Sequence, residues 1–356
     1  MEGWLTISDQ GQFWVGLSRE RLNGEVVAGP AMYVQYQVPA EPKHPYPVVM
    51  VHGGGGQGTD FLGTPDGRPG WATRFVQQGF SVYVVDRPGF GRSPCHPAVM
   101  GAEAPPPTYG RTSALFSAPA AANEYPNAAL HTQWPGDGEL GDPALDQFMA
   151  GQSGIAWDME RTQEAMRECG AQLLDRIGPA VLLTHSMGGP FGWVVADSRP
   201  DLVRGIVAVE PVGPPFAELP GGRGGLPWGI TSVRLTFDPP AARPSEIDTR
   251  PIPAPEPGLV DCLLQREPAR RLPNLGHFPI AVVTAEASWM ARHGHGVVDF
   301  LGQAGARVEH LRLAELGIRG NGHLMMGEKN SDEIARMIIG WISRNVRDGG
   351  SPASSD

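Results

Sequence analysis

The sequence predicts an α/β fold: a mostly parallel sheet of roughly eight strands with helices on both faces. Three observations predict it. Short apolar runs recur without polar alternation, as in Val48-Val49-Met50-Val51, Val181-Leu182-Leu183 and Ile280-Ala281-Val282-Val283, the pattern of strands buried on both faces. Helical patterns fall between most of those runs, and strand–helix alternation builds a parallel sheet. The 356 residues, 41% hydrophobic and 19% charged, suffice for one large globular domain, and no internal repeat divides them. Glycine (48) and proline (36) together reach about twice their usual share, which calls for long ordered loops. We expect a single domain over residues 10–345 with two Pro/Gly-rich lid insertions, 94–154 and 211–276, and a disordered polar tail, 346–356.

In chain order, residues 12–19 and 32–38 alternate loosely and carry β-branched and aromatic side chains. They read as a leading antiparallel pair joined through the Asn23-Gly24 turn. The buried strand 47–51 runs into His52-Gly53-Gly54-Gly55-Gly56. Four glycines in a row are costly unless the backbone must go where side chains cannot. After a buried strand and a histidine, a loop that brings N–H groups to a developing oxyanion fits better than a flexible linker. A phosphate loop fits less well, since no Gly-Lys-Ser/Thr follows. A helix over 71–78 stops at Gly79, and the strand 80–86 ends in Asp86-Arg87-Pro88-Gly89, where Asp86 is expected to order the turn by accepting backbone N–H groups.

The first insertion lacks pattern but holds Tyr109, Phe116, Tyr125, Trp134 and Phe148, which favours a lid over a linker. A long amphipathic helix follows over 157–177, with Met159, Ala165, Met166, Cys169, Leu173 and Leu174 at near-helical spacing and Gly178-Pro179 as its stop. The strand 180–185 breaks at Ser186, and a packed helix begins at Met187-Gly188-Gly189. Strands over 202–209, 279–284 and 307–313 end at Glu210-Pro211, at Ala285-Glu286 and before Gly320-Asn321-Gly322-His323. A helix runs from Glu286 to about Gly302, and another over 333–344 covers the sheet.

Ser186 occupies a strand–turn–helix corner that lifts its hydroxyl above the sheet and aims the N–H of the next residue at anything bonded to it. Thr184 stands where Gly-x-Ser-x-Gly has its first glycine. A serine is a weak nucleophile alone, so a base, an orienting acid and oxyanion donors must come from elsewhere. His323 follows the last strand on a glycine-flanked loop and is the expected base. His52 is tied to the glycine loop, His185 should point away from the serine, His293 and His295 lie on a helix, and His310 lies in a strand. Glu210 and Glu286 both end strands, and chain order separates neither as the acid. The Met187 and Gly54 N–H groups are the expected oxyanion hole.

A formal net charge of −10 argues against a nucleic-acid partner, whose phosphates need clustered Lys and Arg. Cys95, Cys169 and Cys262 fit no metal spacing, and no metal is expected; a Cys95–Cys262 disulfide is less favoured than free thiols. No apolar run is long enough for a membrane span. Met1-Glu2-Gly3-Trp4 lacks the basic start of a signal peptide, so the chain reads as cytoplasmic, with the secreted or periplasmic alternative open if a leader was removed.

The ordered set His52-Gly53-Gly54-Gly55-Gly56, Asp86-Arg87-Pro88-Gly89-Phe90-Gly91-Arg92-Ser93, Thr184-His185-Ser186-Met187-Gly188-Gly189 and Gly320-Asn321-Gly322-His323 resembles the α/β-hydrolase superfamily. More narrowly, it is similar to bacterial carboxylesterases that include the sulfonylurea-herbicide de-esterifying esterases. That group takes its acid just after the strand following the nucleophile helix, which here is Glu210. The resemblance implies an α/β-hydrolase fold, a serine carboxylesterase working through an acyl-enzyme, a small-molecule ester substrate, no cofactor and a homodimer. The lid aromatics suggest a bulky or apolar group on the substrate. Two alternatives stay open: another acyl bond (lactone, polyester or amide) cut by the same triad, and a non-catalytic binding protein on the same fold.

Overall fold

The computed structural model describes residues 4–101, 103–155, 158–219 and 224–346. Eight strands form one sheet: β1 (Ile7–Val15), β2 (Met32–Pro39), β3 (Val48–Val51), β4 (Val82–Asp86), β5 (Ala180–His185), β6 (Val203–Val209), β7 (Pro279–Thr284) and β8 (Arg307–Arg312). Their spatial order is β1-β2-β4-β3-β5-β6-β7-β8. β2 pairs antiparallel with both β1 and β4, and every other pairing is parallel. The fold is therefore the expected α/β-hydrolase fold.

Period-two alternation sends successive side chains to opposite faces, and both faces are covered. Val49, Val51, Leu182, Ile206 and Val282 pack with α2 (Met159–Ile177), α3 (Gly189–Ser198) and α4 (Gly294–Gln303). Val48, Met50, Val181, Leu183, Val209 and Val283 pack with α1 (Trp71–Gln77) and α5 (Ser331–Asn345). The parallel strands β3, β5, β6, β7 and β8 run the same way, so the segments after them, including those carrying Ser186, Glu210 and His323, gather at one edge, where open α/β sheets place their ligands.

Several expectations need correction. Asn23-Gly24 does not join β1 to β2; it closes a separate hairpin, Arg19–Leu22 with Glu25–Ala28. Both turn residues have positive φ (50° and 89°), the geometry that suits a two-residue hairpin turn. The helix expected straight after β7 starts only at Gly294, because Glu286 and Ser288 use their side chains to tie the intervening segment down. The first insertion carries a series of short helices, from Pro97–Met100 to Pro143–Ala150. The second sends Trp228, Ile230, Val233, Leu235 and Phe237 into the main core and adds a hairpin, Thr249–Ile252 with Cys262–Gln265. All three cysteines are free. The start expected for α2 at Trp157 and the tail beyond Val346 lie outside the described residues.

Candidate active site

Ser186 sits between β5 and α3 at φ 53°, a left-handed conformation for a non-glycine residue and the strained corner its sequence setting implies. The corner fits because its neighbours are small. A Cβ on Gly188 would collide with the His52 carbonyl oxygen, and one on Gly53 would lie 2.8 Å from the Ser186 Cβ. Thr184 is accommodated at the position where a glycine was expected because α3 faces it with Gly192; a Cβ there would meet the Thr184 Cγ2 at 3.4 Å.

His323 Nε2 lies 2.8 Å from the Ser186 Oγ, and its Nδ1 lies 2.5 Å from the Glu210 Oε2. Ser186, His323 and Glu210 are 7%, 2% and 1% exposed. The ring is enclosed by Phe116, Trp289 and His185, at centroid distances of 5.8, 5.4 and 4.5 Å. Burial drives both partners of the acid–base pair toward neutrality, the His323 ring down to about 3 and the Glu210 carboxyl up to about 8. The hydrogen bonds decide the carboxyl. The Ala285 N–H donates to Oε1 at 2.8 Å. The Ser288 hydroxyl, itself accepting the Met290 N–H, must give its proton to Oε2. With Nδ1–H as a third donor, an ionised, accepting carboxylate uses every contact, and Nε2 is left free to accept the serine proton.

Glu286, the other expected acid, does not reach the ring. Its carboxylate accepts from the Gly320 N–H at 2.9 Å and pairs with Arg319 at 2.6 Å. Nor does it cap a helix, since α4 begins only at Gly294. A third carboxylate, Glu328, is fully buried and holds the same loop from below through the Gly322 N–H (2.8 Å), Asn321 Nδ2 (2.7 Å) and His131 Nε2 (2.7 Å). His185 does not turn away. It approaches the His323 carbonyl oxygen at 3.0 Å, which requires a proton on its Nε2. Asp86 does order its turn, accepting the Gly58 and Arg92 N–H groups at 2.7 Å each.

The two expected oxyanion donors sit in peptide planes held from the carbonyl side. The Ser186 carbonyl accepts the Val212 N–H at 3.1 Å, which turns the Met187 N–H the opposite way. The Gly53 carbonyl accepts from Arg87 Nη2 at 2.9 Å, which does the same for the Gly54 N–H. Ser153 donates its N–H and hydroxyl to the Gly55 carbonyl. The first insertion therefore crosses the glycine loop, and it also clasps the base loop and the segment after β7: the Thr132 N–H bonds the Gly320 carbonyl, and Asn127 bonds the Glu286 and Ser288 carbonyls. Beside the site, a cavity of about 400 Å³ is lined by Asp60, Trp134, Phe148, Leu324 and Met326. Among the described residues no group of three His, Cys, Asp or Glu could hold a metal ion, and no helix is long and apolar enough to cross a membrane.

Arg87, Glu328, His131 and Ser288 are the site residues that sequence reasoning missed. Arg87 lies inside a recognised turn motif, and the turn explained it away. Glu328 follows His323 by five residues, a spacing that signals nothing until the loop closes on itself.

The chain matches the family model described as alpha/beta hydrolase fold over residues 46–249. It is 44% identical over 315 residues, 88% of this chain and 86% of the relative, to a protein described as probable secreted lipase phiG of Fungal sp. (strain ATCC 74256). Among solved structures it is similar to a novel bacterial esterase, with a TM-score of 0.63 and 22% identity, covering 98% of this chain and 99% of that one.

Proposed function

The chain belongs to the α/β-hydrolase family and is a carboxylic ester hydrolase, and we propose that it works as a serine esterase through an acyl-enzyme. The observation that carries this reading is the line from Ser186 through a neutral His323 to Glu210. In the proposed cycle the Ser186 Oγ bonds the ester carbonyl carbon while its proton passes to His323 Nε2. Glu210 stabilises the imidazolium, and the Met187 and Gly54 N–H groups hold the oxyanion. Collapse breaks the bond to the alcohol oxygen, which leaves with the proton from Nε2. Water then repeats the attack on the acyl-serine, and Ser186 recovers its proton.

The acyl or alcohol group is proposed to be apolar. Met187 packs with Met159, Val212, Leu219 and Leu226, an apolar cluster beside the serine. A relative described as a lipase favours the same reading over a lactone or amide substrate. The segment 94–154 then serves as the lid, placing Phe116 over the imidazole and Ser153 on the glycine loop. Secretion, suggested by the relative's description, and a homodimer remain parts of this proposal. The exposed Trp14, Leu17 and Val26 near the β1 edge would suit a dimer contact, which light scattering tests.

The decisive experiment is Ser186→Ala, assayed on p-nitrophenyl esters of varied chain length and with a fluorophosphonate probe. Wild type should hydrolyse the esters and take the probe at Ser186, and the variant should do neither while unfolding at the same temperature. Wild-type turnover in the variant would discard the mechanism, and no labelling or turnover in wild type would discard the reading.

A further inference from the structure

Arg87 is 1% exposed, yet among the described residues it has no ion pair. Its neighbour Asp86 is committed to Arg92 at 2.7 Å. The guanidinium carbon stands 4.3 Å over the Phe90 ring, and Nε is buried without a partner. The carboxylate that acts on it, Asp60, makes no ion pair with it and is itself pushed up to about 7 by burial, so the guanidinium is poorly compensated. A buried charge in that state is costly, and an apolar side chain of similar size would avoid the cost. The arginine is therefore a poor device for stability alone, and what it touches is informative.

Its Nη2 donates to the Gly53 carbonyl at 2.9 Å and the Gly54 carbonyl at 2.5 Å, and its Nη1 reaches the Met187 carbonyl at 3.5 Å. The Arg87 backbone N–H donates to His52 Nε2 at 3.0 Å, so the His52 proton lies on Nδ1 and bonds the Gly53 carbonyl at 2.9 Å. One planar fork thus spans the glycine loop and the turn that carries Ser186. Peptide planarity transmits this outward: each carbonyl drawn to the guanidinium turns the following N–H away from it.

We propose that Arg87 is a positioning residue of the ester-hydrolysing site, aiming the Gly54 N–H of the oxyanion hole, bracing the turn that carries Ser186 and setting a positive charge behind the oxyanion. This rests on the serine-esterase reading. Hydrogen-bond donors fixed before the reaction, in a site that excludes water, act on the transition state far more than on the bound ester. Burial lowers the guanidinium only to about 9, so the group is charged at neutral pH.

The test compares Arg87→Met, which keeps length and loses charge and fork, with Arg87→Lys, which keeps charge and loses the fork. Both are checked for wild-type thermal unfolding. We expect kcat for a p-nitrophenyl ester to fall at least about 100-fold in Arg87→Met, with KM within about threefold, the scale of losing one oxyanion donor. Affinity for an alkyl trifluoromethyl ketone, which forms an oxyanion on Ser186, should weaken by the same factor as kcat/KM. Affinity for an unreactive alcohol of the same chain should not change. Arg87→Lys should fall between the two. A folded Arg87→Met enzyme with near-wild-type kcat/KM would overturn the proposal, as would a loss of kcat that the ketone affinity does not follow. If Arg87→Met fails to fold, Arg87→Lys carries the test, and wild-type kinetics with wild-type ketone affinity overturn it. Failure of the esterase reading would look different, because wild type itself would then show no turnover and no fluorophosphonate labelling.

Discussion

Glu210 and Glu286 are the same kind of residue in the same kind of place, each a carboxylate just past a strand of one sheet, yet they do different work. Glu210 is still in the ladder: its N–H bonds the Val283 carbonyl at 2.9 Å. Its φ of 42° then bends the chain at the sheet edge, and its carboxylate lies under the His323 ring. Glu286 stands further out, on a segment that crosses the first insertion, and its oxygens meet a backbone N–H and the exposed guanidinium of Arg319. Depth separates them. The inner carboxylate meets the imidazole, and the outer one meets the loop that carries it.

The largest expected effect breaks the comparison if it is wrong. In Glu210→Gln the side chain keeps its size but gains an amide N–H, which favours the His323 tautomer with its proton on the wrong nitrogen. We expect kcat to fall by about 10⁴-fold, as when a triad acid becomes an amide elsewhere, with folding retained. Steady-state kinetics on a p-nitrophenyl ester measure it. A Glu210→Gln enzyme within tenfold of wild type would mean that the acid is elsewhere.

Much of this architecture was legible in the residues. The buried strands could be read from uninterrupted Val, Leu and Ile runs, because a parallel sheet covered on both faces leaves no polar alternation to confuse the reading. The meeting of Ser186 with His323 could be anticipated because a strand–turn–helix corner and a glycine-flanked loop constrain the local sequence. The choice between Glu210 and Glu286 could not, since both satisfy every local rule, and only family resemblance separated them. Glu328 and Arg87 were illegible for a further reason. Their roles depend on contacts made across the fold, with His131 from the first insertion and with the glycine loop after β3. The second insertion misled in the other direction. Its Pro and Gly content suggested a lid, while Trp228, Val233 and Phe237 are buried in the main core.

An intermediate effect sharpens the comparison. The Glu328 carboxylate holds the base loop and His131, as the Glu286 carboxylate holds that loop's outer side, but Glu328 is fully buried. Glu328→Gln leaves buried donors with a poorer acceptor, which should cost about 1–3 kcal/mol of stability and lower kcat/KM about tenfold as the ring drifts. It also has an electrostatic signature. Burial lowers the His323 pKa, and the Glu328 charge opposes that lowering. The acid limb of wild-type kcat/KM, where the base becomes protonated, should therefore lie below the ordinary histidine value of about 6.5. Removing the negative charge disfavours the imidazolium further, so the limb should move to still lower pH. A limb displaced upward would show that Glu328 does not act on the ring through its charge.

The smallest effect is the one that isolates the outer carboxylate. Glu286→Gln loses an ion pair whose arginine side chain is 66% exposed, and exposed pairs of this kind contribute about 0–1 kcal/mol. The amide oxygen can still accept the Gly320 N–H, so the loop keeps its path and His323 its reach to Ser186. We expect kcat within about threefold of wild type and an acid limb that does not move, measured in the same pH series as Glu328→Gln. The second readout carries the weight. A modest fall in kcat fits any loosening of the loop, but an unmoved limb requires that Glu286 act on the backbone alone, at a distance where its charge is not felt by the ring. Should Glu286→Gln shift the limb or lose activity on the scale expected of Glu210→Gln, depth would not be what distinguishes the two carboxylates, and the outer one would have to reach the imidazole in a conformation other than this one.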